Sequence, residues 1–191
     1  MTITIAEPPH DFNHDLARAK ESEHLFDAAY RLVFTDHLKY RVDPQLATDD
    51  HERDICLKLQ LAGADVIFRD QHGKFTAIDE KWQFALGDPN GLPIELTRNM
   101  GSHAPGWALD PNHRANMIAF GYRDHDTHVV IRFYDAVKLK EIIAPLRSDL
   151  AACPRAFFKA NRTADGGTYT TCGAYIDYDT VKPAFLRNIS L

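Results

Sequence analysis

The sequence predicts a mixed α/β protein of the α+β kind, with a central mixed β-sheet flanked by helices. Three observations carry this. Between His14 and Phe34 the apolar residues Leu16, Ala19, Leu25, Ala28, Ala29 and Leu32 recur at helical spacing, which gives one stripe for a core. A second, capped helix is expected over residues 50–61. Beyond it, runs rich in β-branched and aromatic residues are separated by short polar turns, as sheet strands are.

The elements follow in order. Residues 1–13 hold Pro8 and Pro9 without a clear period and read as an irregular arm. Arg41 to Thr48, with Pro44, reads as a polar connection. Asp49 or Asp50 then offers an N-cap, Ile55, Leu59 and Ala62 continue the period, and Gly63 stands where a helix-ending glycine belongs. Ala64–Arg69 and Lys74–Phe84 flank a turn that ends in Gly73, which is a hairpin signal. A three-residue loop, Gln71-His72-Gly73, pairs Asp70 with Lys74 and by counting back sets Asp65 opposite Asp79.

After the turn Asp88-Pro-Asn-Gly91, strands are expected over Leu92–Thr97, Gly106–Leu109, Asn116–Tyr122 and Thr127–Tyr134. Asp135 caps a helix running to about Leu150, and a β-like run, Thr168–Tyr178, precedes a short tail. There is no internal repeat or composition break. A single domain over 1–191 is therefore expected: an N-terminal arm and helix over 1–48, a core over 49–150 and a C-terminal extension over 151–191.

Composition excludes several classes. Apolar residues make up 45% and charged residues 26% of 191 residues, which is ordinary for a globular chain. No apolar run is long enough for a transmembrane helix, so no membrane partner is expected. Met1–Glu7 lacks the basic start and apolar core of a signal peptide. Cys56, Cys153 and Cys172 are odd in number and far apart, which suits a reducing cytoplasm better than a disulfide scaffold. Net charge is −5, but unevenly spread: residues 1–131 hold 13 Lys+Arg against 21 Asp+Glu, and residues 132–191 hold 9 against 6. A local basic face could meet phosphate while the bulk stays acidic. No nucleophile elbow, P-loop or dinucleotide fingerprint occurs.

The chemistry concentrates on one strand. Asp79, Lys81 and Gln83 alternate and share a face, with Ile78, Glu80 and Trp82 on the other. Polar groups in line on a central strand are costly unless something binds them. Asp65 on the hairpin partner adds a second carboxylate, and Glu52 lies in the first turn of the preceding helix. Glu95, inside the apolar run Leu92–Leu96, is a further acidic side chain to weigh. Two carboxylates beside a lysine suit Mg²⁺-assisted phosphodiester cleavage: the acids hold a hard cation and the ammonium steadies developing negative charge. The plain alternatives are edge-strand charges and a cross-strand ion pair, with Glu52 as an ordinary helix-terminal acid.

Helix Glu52, then Gly-Ala-Asp65-Val-Ile, then Ile-Asp79-Glu80-Lys81-Trp-Gln83, resembles the PD-(D/E)xK nuclease superfamily, whose fold is restriction-endonuclease-like. The resemblance covers roughly residues 50–145. It departs from the family at Ala64, where proline is common, and at Asp79, where Glu is frequent; Glu80 leaves the acidic position ambiguous. It implies Asp65 and either Asp79 or Glu80 as metal ligands for Mg²⁺ or Mn²⁺. Lys81, Gln83 and Glu52 follow as catalytic residues, and DNA as substrate, usually cut to leave a 5′-phosphate. A homodimer is compatible with it. The different-class alternative is a nuclease-like binding or structural module without turnover, of phage or mobile-element origin.

Overall fold

The computed structural model describes residues 12–86, 91–124, 128–146, 155–162 and 167–191. The fold is mixed α/β, with one six-stranded mixed sheet and one four-stranded antiparallel sheet. The chain divides into two compact units, each assembled from separate segments. One holds residues 23–89, 111–139 and 182–191; the other holds 1–22, 90–110 and 140–181. The division by sequence into arm, core and extension therefore differs from the units observed. Strand pairing, which ignores chain order, joins segments from both sides of residue 150.

In the first unit the helix α1 (Phe12–Val33) supplies Phe26, Ala29 and Tyr30 to the core. They meet Val66, Phe68, Ile78, Ala119, Ile131 and Phe133, which come from one face of the sheet. The sheet order is β1 (Leu38–Arg41), β2 (Val66–Arg69), β3 (Phe75–Leu86), β6 (Met117–Asp124), β7 (His128–Asp135) and β10 (Phe185–Ser190). Among the described residues only the β3–β6 pair is parallel; its register sets Asp79 beside Ile118 and Lys81 beside Phe120.

The helix α2 (Asp50–Leu61) begins and ends as its sequence dictates. Asp49 is the N-cap and accepts from the Glu52 N–H at 2.7 Å. At the other end the Gly63 N–H donates to Gln60 O and the Ala64 N–H to Leu59 O, the paired bonds of a Schellman stop. Gly63 takes φ +79°, which a residue with a Cβ adopts only at a cost.

The hairpin register is the one counted from sequence. Gly73 lies at φ +81°, Asp70 N–H donates to Lys74 O, and Val66 faces Ile78. Pairing continues to Asp65, whose N–H donates to Ile78 O.

Several elements differ from expectation. β1 and β10 are strands at the two sheet edges; the sequence assigned no element to residues 38–40, began a connection at Arg41, and read the end of the chain as a tail. Both are short and mostly exposed, so pairing rather than burial defines them. Residues 106–109 form a turn, with Leu109 and Asp110 N–H both donating to Gly106 O, and the strand before it, β5, is only Ala104–Pro105. The helix after Asp135, α3, ends at Ile143 and tightens to a 3₁₀ turn over Ala144–Leu146, where Pro145 cannot continue the helical hydrogen bonds. Its expected extension beyond Leu146 to Leu150 and the turn at 88–90 lie outside the described residues.

The second unit carries the four-stranded sheet, ordered β5, β4 (Gly91–Asn99), β9 (Thr168–Asp177) and β8 (Ala156–Arg162). Leu92, Ile94, Leu96, Cys172, Ala174 and Ile176 are among its buried side chains. A last short helix, α4, spans Tyr178–Val181.

Candidate active site

The alternation of β3 separates two polar constellations. Toward α1, Trp82 packs edge-on against Phe26 at a ring distance of 5.8 Å. On that side Glu80 accepts from the Tyr30 hydroxyl at 2.9 Å and from Arg41 Nη1 at 2.6 Å. Arg41 also reaches Asp27 at 3.0 Å, and Lys39 joins the same carboxylate at 2.6 Å. The network anchors the edge strand β1 to α1 and β3. Burial raises the Glu80 pKa above its usual value despite the opposing Arg41 charge, and it raises Tyr30 further still with help from Glu80.

The other face carries Asp79, Lys81 and Gln83. Asp79 is only 2% exposed, and both of its oxygens are engaged: Oδ1 by Lys81 Nζ at 2.5 Å and Oδ2 by His113 Nε2 at 2.7 Å. Burial by itself would raise the Asp79 pKa. The Lys81 charge and the His113 hydrogen bond outweigh it and hold the carboxyl below its ordinary value. Lys81 remains partly open to solvent.

Asp65 lies at the mouth of β2, where its Oδ2 accepts the Glu80 N–H at 2.7 Å. Burial first, and the Asp79 charge second, push its carboxyl up to about 7, against the pull of Lys81 and of that hydrogen bond. Asp65, Asp79 and Lys81 thus act on one another electrostatically. Gln83 is half-buried on the same strand face, paired in register with Tyr122.

Two residues named from sequence stand elsewhere. Glu80 is not brought to Asp79: strand alternation turns it to the opposite face, where Arg41 and Tyr30 hold both its oxygens. Glu52 is exposed and reaches back to the Thr48 N–H and hydroxyl, both at 2.7 Å, closing the start of α2. Those two hydrogen bonds lower its pKa. Glu95 belongs to the other unit, 3.9 Å from Arg98.

His113 was not legible. It sits in the loop before β6, thirty-four positions from Asp79, and no spacing rule links the two. The only sequence signal is indirect: a parallel neighbour of β3 must be entered by a loop crossing the end where Asp79 lies.

The donor set suits a hard divalent cation. Asp65 and Asp79 are carboxylates, and a positive ion between them would offset the repulsion that raises Asp65. Among the described residues no group of three or more His, Cys, Asp and Glu side chains forms a metal cage. Two protein ligands with water and phosphate completing the shell is the habit of Mg²⁺. Among the described residues no helix is long and apolar enough to cross a membrane.

No family model, curated protein or solved structure matches the chain.

Proposed function

We propose that this protein is a PD-(D/E)xK-type nuclease that hydrolyses DNA phosphodiester bonds with Mg²⁺ or Mn²⁺. The observation that carries the reading is the buried Asp79 carboxylate with Lys81 Nζ at 2.5 Å on a central strand, beside a second acid, Asp65. A buried, charged strand face of this kind costs free energy that folding alone does not require.

Asp65 and Asp79 would hold the ion, which when bound lowers the pKa of a water and neutralises phosphate charge. Lys81, anchored by Asp79 yet partly solvent-open, would meet a phosphate oxygen or orient water with its ammonium, and so steady charge as it develops. Gln83, next on that face, can donate or accept a hydrogen bond to the same substrate strand. A homodimer would offer one site to each strand of a duplex.

The test is incubation of the purified chain with duplex, branched and single-stranded DNA, with Mg²⁺, with Mn²⁺ and with chelator. Metal-dependent cleavage that disappears in Lys81→Met is the expected result. A second reading, a nuclease-like DNA-binding module without turnover, is favoured by one observation: both Asp79 oxygens already have protein partners. Salt-dependent DNA binding with no cleavage under any metal would select it.

A further inference from the structure

His113 stands where neither helix, strand period nor family pattern would put a functional side chain, yet three independent contacts seat it. The Arg114 N–H donates to Ala62 O at 2.7 Å, tying the loop to the end of α2. Two residues on, Asn116 exchanges hydrogen bonds with Ala77 of β3, its N–H to Ala77 O and its Oδ1 from the Ala77 N–H, both at 2.8 Å. The imidazole then fills the space that Gly63 leaves: a Cβ added there would stand 2.2 Å from His113 Cδ2 and 2.4 Å from Nε2. Gly63 is thus required twice, for its positive φ and for the ring against it.

The ring is 7% exposed, and its Nε2 lies 2.7 Å from Asp79 Oδ2. An ionised carboxylate only accepts hydrogen bonds, so Nε2 carries the hydrogen. The terminal torsion of an aspartate is broad, so its carboxylate plane does not fix itself. We infer that His113 is a positioning residue for Asp79: by holding Oδ2 it sets the carboxylate plane so that Oδ1, the oxygen beside Lys81, is the one presented to a divalent cation. This rests on the nuclease reading of the site and adds a residue to it. His113 itself neither touches the substrate nor holds the ion.

The experiment is Mn²⁺ titration calorimetry on the full chain, each variant being held well below its melting temperature. Wild type is compared with Asp79→Asn, His113→Leu and His113→Gln. The amide nitrogen of glutamine can donate from nearly the place of Nε2, whereas leucine fills the volume and donates nothing. Loss of a hydrogen-bond partner behind a metal ligand typically weakens metal binding about 10–100-fold. His113→Leu is expected to fall in that range, with His113→Gln recovering to within about threefold of wild type. Gly63→Ala, which displaces the ring without altering it, is expected to weaken Mn²⁺ as His113→Leu does.

A folded His113→Leu that binds Mn²⁺ like wild type would overturn the inference, and so would His113→Gln binding as weakly as His113→Leu. If His113→Leu does not fold, His113→Gln against His113→Asn makes the same comparison, because asparagine is too short to reach Asp79. Equal Mn²⁺ binding by wild type and Asp79→Asn would remove the metal site itself, and the role of His113 with it. Asp79-dependent binding that ignores His113 would sink the positioning role alone.

Discussion

Asp65 and Asp79 are interacting acids driven in opposite directions by their surroundings. Burial and the Asp79 charge push Asp65 up to about 7, while at Asp79 the Lys81 and His113 contacts overcome burial and keep the carboxyl ionised. One acid of the pair is therefore settled as an anion by the protein. The other is left waiting for positive charge.

A stability profile follows from the Asp65 shift. At about pH 3 and below the group is largely protonated in folded and unfolded chains alike and costs little. As pH rises toward 7 the unfolded chain ionises first, so the shift removes stability progressively and keeps it removed above pH 7. Asp65→Asn, which retains an acceptor for the Glu80 N–H, should stabilise the apoprotein at pH 8 by about 1–3 kcal/mol, allowing for water around this half-buried group. At about pH 3, below the ordinary carboxyl value, the two proteins should melt alike. Denaturation curves at both pH values check it, and a variant no more stable at pH 8 would contradict the placement.

Lys81→Met keeps the side-chain stem and removes the charge. Cleavage should fall by about 10²-fold or more, as for loss of one preorganised electrostatic group. Because Lys81 is also a partner of buried Asp79, stability without metal should fall by about 1–2 kcal/mol, and Mn²⁺ should restore most of it. Single-turnover cleavage and melting with and without Mn²⁺ measure both effects.

Glu80→Gln separates its observed role from the ligand role suggested by sequence. It keeps the shape but loses the charge that Arg41 pairs with, so stability should drop by about 1–3 kcal/mol. Mn²⁺ affinity should stay within about twofold of wild type, because the side chain lies across the sheet from Asp79. Urea denaturation and calorimetry on one preparation decide it; a tenfold loss of Mn²⁺ binding would return Glu80 to the metal site.

Glu52→Ala should loosen the first turn of α2 by removing the acceptor for Thr48, and leave cleavage unchanged. Hydrogen exchange at residues 50–54 should quicken while the rest of the helix holds. Lost cleavage with a normal helix start would show that Glu52 reaches the site after all.

What was legible in the sequence follows a physical division. The Gly73 turn and the alternation through Ile78, Asp79, Glu80 and Lys81 are local constraints, so the hairpin register and the sharing of one face by Asp79 and Lys81 could be counted. The α2 boundaries were readable for the same reason, from Asp49 and Gly63. The edge strands β1 and β10 were not, because a strand exposed on both faces shows no burial pattern. Parity favoured Asp79, two places from Lys81, over its neighbour Glu80, and Arg41, thirty-nine positions from Glu80, is the partner that claims the latter. His113 depended on how a loop crosses a parallel strand pair, which no local pattern records.

The interleaving of the two units bears on how the molecule can be made. Each unit takes its residues from three stretches of chain, and no single cut separates them. β7 ends at Asp135 and its partner β10 begins at Phe185, so the last strand of the six-stranded sheet joins only after the intervening segments have been synthesised. Closing such spans adds little to the equilibrium cost but slows folding, since non-local pairings must be found before they are rewarded. During that wait the β7 edge is open, and a nascent chain emerging from the ribosome in this state would be a natural client for a chaperone that shields strand edges.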